Sequence, residues 1–169
     1  MMLRPANTAE VGRIMQLRAE AAEWLTSEVG TDQWSEPWPS DNEMRETIRR
    51  SIERGETWMA VNDSGRTIGT VALDDYTADG LWTEAELAEP ARYVHRLIID
   101  RDFAGQGIGA QILRWAAERA KSCSAQWLRA DVWTDNDGLY RYYARQGFSY
   151  VRTVRRDDYP SGGLFQLAL

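Results

Sequence analysis

Cysteine and histidine are nearly missing from this sequence. Cys123 is the only cysteine and His95 the only histidine among 169 residues. A single cysteine excludes an internal disulfide and any multi-cysteine metal site, and no metal is expected. No apolar run approaches the roughly 20 residues that a bilayer span requires. The opening MMLRPANTAE lacks the basic-then-apolar pattern of a secretory signal. A cytoplasmic location is therefore expected. Basic charge is also short, with 20 Lys and Arg against 26 Asp and Glu and a formal net charge of −6. A nucleic-acid binder needs a concentrated basic face, so neither nucleic acid nor a membrane is expected as a partner. The acidic balance leaves room for a cationic small molecule, and a homodimer is allowed.

What is present reads as one soluble domain over residues 1–169, with 43% hydrophobic and 27% charged residues. Asn7 with Glu10 marks a helix start, and Val11, Ile14, Met15, Ala22 and Leu25 share its apolar face. The stretch SEVGTDQWSEPWPSDN follows, where two prolines forbid continuous helix. Ser40 with Glu43 forms a second capping box ahead of Met44, Ile48 and Ile52. TWMAV and TIGTVAL, joined by NDSGR, predict a hairpin. An acidic loop from Asp74 to Glu89 leads into the strand RYVHRLIID. A helix then runs from the glycine-rich DFAGQGIGA to about Ser122. QWLRADVW reads as a strand, DNDGLYRYYARQ as a short helix stopped by Gly147, and FSYVRTV and GLFQLAL as the last strands. Helices interleaved with hairpins and crossovers indicate an α/β fold built on a mixed sheet.

The glycine run carries the first chemical signal. Glycines let the backbone come close to a ligand, and the first amides of a helix have no intrahelical acceptor, so a strand–glycine–helix turn suits an anion. A bare turn would favour glycine equally, and the run alone leaves both readings open. The second signal is NDGLYRYYARQGF, which sets Asn136, Leu139, Tyr143 and Gly147-Phe148 at offsets of three, seven and eleven.

Taken together, VHRLIIDRDFAGQGIGAQILRWA and NDGLYRYYARQGF resemble the GNAT superfamily of acyl-CoA-dependent N-acyltransferases, as do the opening LRPAN and the order of elements. The resemblance implies a central, mixed and largely antiparallel sheet of about seven strands flanked by about four helices. It implies acetyl-CoA as cofactor, its pyrophosphate on the backbone of Ala104, Gly105, Gln106, Gly107, Ile108 and Gly109. Its pantetheine arm would lie along Leu97, Ile98 and Ile99. Gly107 and Gly109 match the family's two small positions, whereas Ala104 stands where Arg or Gln is usual. That loss removes at most one charge-assisted hydrogen bond, roughly 1.5–3 kcal/mol. Arg101 is read as a solvated surface residue rather than a substitute.

The implied reaction is direct transfer of an acetyl group from CoA sulfur to an amine. An alkylamine is about 99.9% protonated at neutral pH, so its proton needs a route away. Tyr143 matches the family's tyrosine and would hydrogen-bond the departing sulfur. A phenol is a weaker acid than a thiol, so it would share its proton rather than surrender it. Packing within the helix is the competing role for Tyr143. Asn136 would contact the cofactor or cap the helix. His95 is the candidate base or a structural residue, on the strand face of Tyr93, Leu97 and Ile99. Cys123 lies at the far end of the helix from the glycine loop, which disfavours an acyl-cysteine route. For the acceptor, Trp34 and Trp38 in one loop and Tyr76 and Trp82 in the acidic loop are candidates, since acids and aromatics together attract a cationic amine. A solvated acidic loop with core aromatics is the alternative. A silent CoA-binding regulator and a protein lysine or N-terminal acetyltransferase remain as other functions.

Overall fold

A computed structural model describes residues 1–35 and 40–169. Seven strands form one sheet in the order β1-β2-β3-β4-β5-β7-β6, where β1 is Met2–Pro5, β2 Thr57–Val61, β3 Thr67–Asp74, β4 Ala91–Ile99, β5 Trp127–Val132, β6 Ser149–Thr153 and β7 Gly163–Ala168. The helices are α1 (Val11–Trp24), α2 (Asp41–Glu53), α3 (Glu84–Leu87), α4 (Ile108–Ser122) and α5 (Asp137–Arg145). Four of these were expected; the fifth, α3, is a single turn inside the acidic loop. Among the described residues no helix is long and apolar enough to cross a membrane.

The chain divides into two compact units, Met1–Ala72 with Arg96–Ile112, and Leu73–His95 with Leu113–Leu169. In the first, β1 and β3 flank β2 antiparallel, with Trp58 opposite Val71 and Leu3 opposite Ala60. The hairpin turn forms as its residues require: the Asn62 side chain accepts from the amides of Ser64 and Arg66, and Gly65 takes φ 80°. Both capping boxes are made. Asn7 and Glu10 close a 3-10 turn that runs into α1, and Ser40 and Glu43 open α2. The two helices bury Ile14, Met15, Ile48 and Ile52 with Met59. The helical backbone continues past Trp24 as a π turn, Leu25–Val29, ended by Gly30 at φ 72°.

In the second unit, β4 pairs parallel with β5, from Ala91 opposite Trp127 to Val94 opposite Ala130. β7 lies antiparallel to both β5 and β6. The acidic loop folds onto this sheet through two arginines. Arg129 has no exposed surface; it donates to the carbonyl of Glu86 at 2.6 Å, pairs with Glu89, and lies 4.5 Å from the centre of the Trp82 ring. Arg152 pairs with Glu86 at 2.6 Å and donates to the carbonyl of Leu81. Trp82, Leu81, Tyr93 and Leu164 form the core beneath.

Removing the carboxylate partner of a buried guanidinium strands its charge. Glu89→Ala is expected to lower the unfolding free energy by about 3 kcal/mol, and Arg129→Met by less, as read from urea midpoints. Arg152 also holds the Glu86 carboxyl down at about 2, from 4.5 in an unstructured chain. Its contribution is therefore complete above pH 4.5 and is lost as pH falls toward 2. Arg152→Gln should flatten that part of the acid-unfolding curve.

Candidate functional site

At the end of β4 the chain is held by a buried carboxylate. Asp100, 3% exposed, accepts from the Asp102 amide and pairs with Arg13 at 2.6 Å and Arg66 at 3.1 Å. A 3-10 turn, Arg101–Phe103, follows and closes with the Ala104 amide donating to the Arg101 carbonyl at 3.2 Å. Residues 104–107 are exposed, whereas Ile108 is buried and anchors the start of α4. Gly105 and Gly107 take φ 76° and 72°, left-handed backbone that disfavours a side chain. Among the described residues, no backbone carbonyl accepts from the amides of Gly105 to Ala110; Gln111 onto Gly107 is the first such bond. The result is a fixed, exposed run of amides at a helix N-terminus, suited to an anion. The Ala104 amide is already spent on its turn.

Arg101 departs from the solvated role expected of it. Its guanidinium lies 3.7 Å from the centre of the Trp24 ring, and burial draws its pKa below the ordinary value. It lines a cleft of about 500 Å³ with Arg13, Trp24, Arg66 and Asp100. At that distance the cation–π attraction holds the guanidinium against the indole.

The strand carrying Leu97, Ile98 and Ile99 is not regular. Arg96 has φ 49°, a left-handed residue in mid-strand, and its side chain donates to the Ser51 hydroxyl at 3.1 Å. Strand alternation therefore cannot be carried from His95 to Leu97 and Ile99, which corrects the shared face expected for them. Ile98 is buried against Leu17 and Ala21, while Leu97 and Ile99 are half-buried. The register with β5 covers only Ala91 to Val94, so residues 97–99 lie beyond it.

In the second unit His95 is surrounded by acceptors. Its Nε2 lies 2.9 Å from the Tyr76 carbonyl and 3.2 Å from Asp74 Oδ1, and its Nδ1 lies 3.6 Å from Asp131 Oδ1. The Tyr159 hydroxyl donates to Asp131 Oδ2 at 2.7 Å. Tyr93 stacks on the imidazole at 6.5 Å. Sequence reasoning singled out His95 and Tyr76 but not Asp131 or Tyr159, which lie 28 residues apart and meet only through the fold.

Tyr143 is 6% exposed, edge-on to Phe148 at 5.2 Å and tilted against Phe165 at 5.8 Å. Burial pushes its phenol well above the ordinary tyrosine range, so it stays protonated. Tyr140 instead bonds Thr153 and packs on Phe165. Asn136, 4% exposed, caps α5 by accepting from the Leu139 amide at 3.2 Å.

Of the acceptor candidates, Tyr76 is 66% exposed. Trp82 is in the core, its ring flanked by Arg129 and Arg152. Trp34 has φ 65° and packs beside Leu17 and Ile98, with the Arg18 guanidinium 5.5 Å from its ring centre. Trp38 lies outside the described residues. Among the described residues no group of three or more His, Cys, Asp or Glu is placed to hold a metal ion.

Similarity to known proteins runs along most of the chain. The family model described as Acetyltransferase (GNAT) family matches residues 19–148. An uncharacterised N-acetyltransferase of Bacillus subtilis, YesJ, is 31% identical over 152 residues, covering 87% of this chain and 81% of that protein. A GNAT-family acetyltransferase structure from Listeria monocytogenes superposes with a TM-score of 0.78 at 25% identity, covering 99% of this chain and 94% of the other. PaiA N-acetyltransferase from Thermoplasma acidophilum, solved in complex with coenzyme A, shares the fold with a TM-score of 0.75 at 17% identity, over 99% and 98% of the two chains.

The cap role of Asn136 is separable from any contact with a ligand. Asn136→Ala should cost about 1 kcal/mol of stability, and Asn136→Asp, which keeps the accepting oxygen, only a few tenths. Urea unfolding of the two variants in the absence of ligand checks this.

Proposed function

Since this chain belongs to the acetyltransferase (GNAT) family and is an acyl-CoA-dependent acetyltransferase, we propose that it passes the acetyl group of acetyl-CoA directly to the amine of a small, cationic acceptor. The observation that carries this reading is the exposed run of amides from Gly105 into α4, held by left-handed Gly105 and Gly107. Those donors, from Gly105, Gln106, Gly107, Ile108 and Gly109, would take the pyrophosphate, with Ala104 contributing little beyond its turn. The amides of Leu97, Ile98 and Ile99 would hold the pantetheine arm, and Asn136 would approach the cofactor from the start of α5.

The chemistry asks for two proton movements. The amine must lose a proton before its lone pair attacks the thioester carbonyl, and the sulfur must be held by a shared proton as the C–S bond breaks, the thiolate then taking up a proton from solvent. His95 serves the first. Tyr143 serves the second: a phenol kept protonated by burial is a steady donor to a developing thiolate. Because a thiol at about 8.5 is a stronger acid than a phenol at about 10, the proton is shared in a hydrogen bond rather than transferred outright.

For the acceptor, the acidic loop supplies less free charge than its composition suggests. Glu86 and Glu89 are paired with Arg152 and Arg129. Asp79 remains exposed, as does Asp75, whose carboxylate lies 3.6 Å from Arg92, and with the exposed ring of Tyr76 they would draw a cation. The overall charge of −6 acts in the same direction at long range.

Acetyl-CoA at about 100 times its dissociation constant should add roughly 2.7 kcal/mol of stability, and thiol release should then be fastest with polyamines or aminoglycosides. A preference for acidic amino acids overturns the cationic acceptor. Tyr143→Phe is expected to lower kcat roughly 100-fold with CoA affinity within about twofold of the parent. Ala104→Arg should tighten CoA about tenfold, as one charge-assisted bond to a phosphate would. Unchanged binding in isothermal titration places that side chain away from the cofactor.

A further inference from the structure

The imidazole of His95 meets three acceptors. The Tyr76 carbonyl, 2.9 Å from Nε2, can only accept, and Asp74 Oδ1 lies 3.2 Å from the same nitrogen. Nε2 therefore carries hydrogen. On the other side, Nδ1 faces Asp131 Oδ1 at 3.6 Å. That oxygen is buried and has no hydrogen-bond donor among the described residues, while its twin Oδ2 accepts from Tyr159. The Asp131 side chain is 4% exposed and that of Asp74 7%. A buried carboxylate oxygen without a donor is costly. A bare Nδ1 would aim its lone pair at that oxygen and make matters worse. A proton on Nδ1 resolves both, since the two atoms then attract across 3.6 Å toward the 2.7–2.9 Å of a charge-assisted bond.

We infer that His95 rests with both ring nitrogens protonated, its Nδ1 proton held by Asp131, which Tyr159 positions. The titratable groups packed around the ring are Asp74 at the end of β3, Tyr76 just after it, Tyr93 stacked beside it on β4, Asp131 on β5 and Tyr159 between β6 and β7. Of the cations in this region, Arg156 acts on Tyr159 and binds Asp158, Arg129 donates to the Tyr93 hydroxyl at 3.4 Å, and Arg92 pairs with Asp75 at 3.6 Å. Two carboxylates against one imidazolium leave the cluster net negative.

This bears on the proposed reaction and rests on the reading of His95 as proton acceptor. A ring that already carries both protons cannot take one from the amine. It becomes a base only after losing one, either as pH rises or as a cationic acceptor approaches and offsets the two carboxylates. Asp131 is thus a positioning residue that decides when His95 is available.

Because His95 is the only histidine, its imidazole gives one unambiguous nitrogen spin system in the labelled, full-length protein. At pH 7.5 both ring nitrogens should show the shifts of an imidazolium. Asp131→Asn keeps the shape and the acceptor for Tyr159 but offers Nδ1 a donor, so the doubly protonated fraction should fall at least tenfold. Tyr159→Phe leaves Asp131 still shorter of donors, and the imidazolium should then persist at pH 8.5 beyond its level in the parent. A neutral ring in the parent at pH 7.5 overturns the inference, as does no change in both variants. With saturating acetyl-CoA and spermidine, the ratio of kcat at pH 6.5 to kcat at pH 8.5 should rise at least fivefold in Asp131→Asn. If the nitrogen shifts behave as stated and this ratio stays at the parent value, the proton is where we place it and His95 is not the base.

Discussion

A guanidinium shut away from water needs partners inside the protein for its charge, and although the Nε of Arg129 finds none, the demand of its two amino groups organises the second unit. Arg129 stands in the middle of β5 with no exposed surface. Its partners come from 40 and 43 residues earlier, the Glu89 carboxylate and the Glu86 carbonyl, so the acidic segment is drawn onto the sheet to supply them. Once there, Glu86 turns its own carboxylate to Arg152, and Trp82 sits within reach of both guanidinium groups. The segment cannot leave without stranding a buried charge. Asp74 and Tyr76 stand at the near end of the same segment, which is how a loop comes to press a carbonyl and a carboxylate onto His95.

The features legible in the sequence are those decided within a few residues. Asn7 with Glu10, Ser40 with Glu43, the Asn62–Gly65 turn and the Gly147 stop form where they were expected, because each satisfies its own backbone groups locally. The left-handed glycines ahead of α4 belong to the same class. Features decided at a distance left weaker marks. β1 is four residues ending in proline, and it is a strand because β2 pairs with it from some fifty residues on. The box of Thr83 and Glu86 that opens α3 was in plain view, but a run of acids reads as a solvated loop until the buried arginine behind it is known. Arg96 in left-handed backbone has no signature at all, since a long side chain is a poor choice for that region. It interrupts the strand just past His95, where period-two reasoning was most needed.

The candidate site shows the same division. Its anion cradle rests on backbone, and the side chains that secure it stand behind it: Asp100 gripped by Arg13 and Arg66, and Ile108 buried at the head of α4. A cradle of that kind survives change at an exposed position such as Ala104, because amides do not depend on which side chain they carry. The groups proposed to handle protons are the reverse. His95, Asp131 and Tyr159 work through side chains on different elements, and no spacing in the chain announces them.

Burial acts on Tyr143 in a way that bears on how far its role extends. Packed among Phe148 and Phe165, the phenol has its ionised form heavily penalised, which makes it a durable hydrogen-bond donor and a poor acid. A residue that had to give up its proton completely would need the opposite environment, a nearby cation or several donors to hold the phenolate. Beyond burial, the neighbouring Tyr142 and the Asp131 carboxylate disfavour the phenolate further. Stabilising sulfur by sharing a proton, and leaving the thiolate to be protonated later from solvent, is the task this environment permits. The same environment would punish a mechanism built on a tyrosinate, and that separates the two ways a tyrosine can serve an acyl transfer.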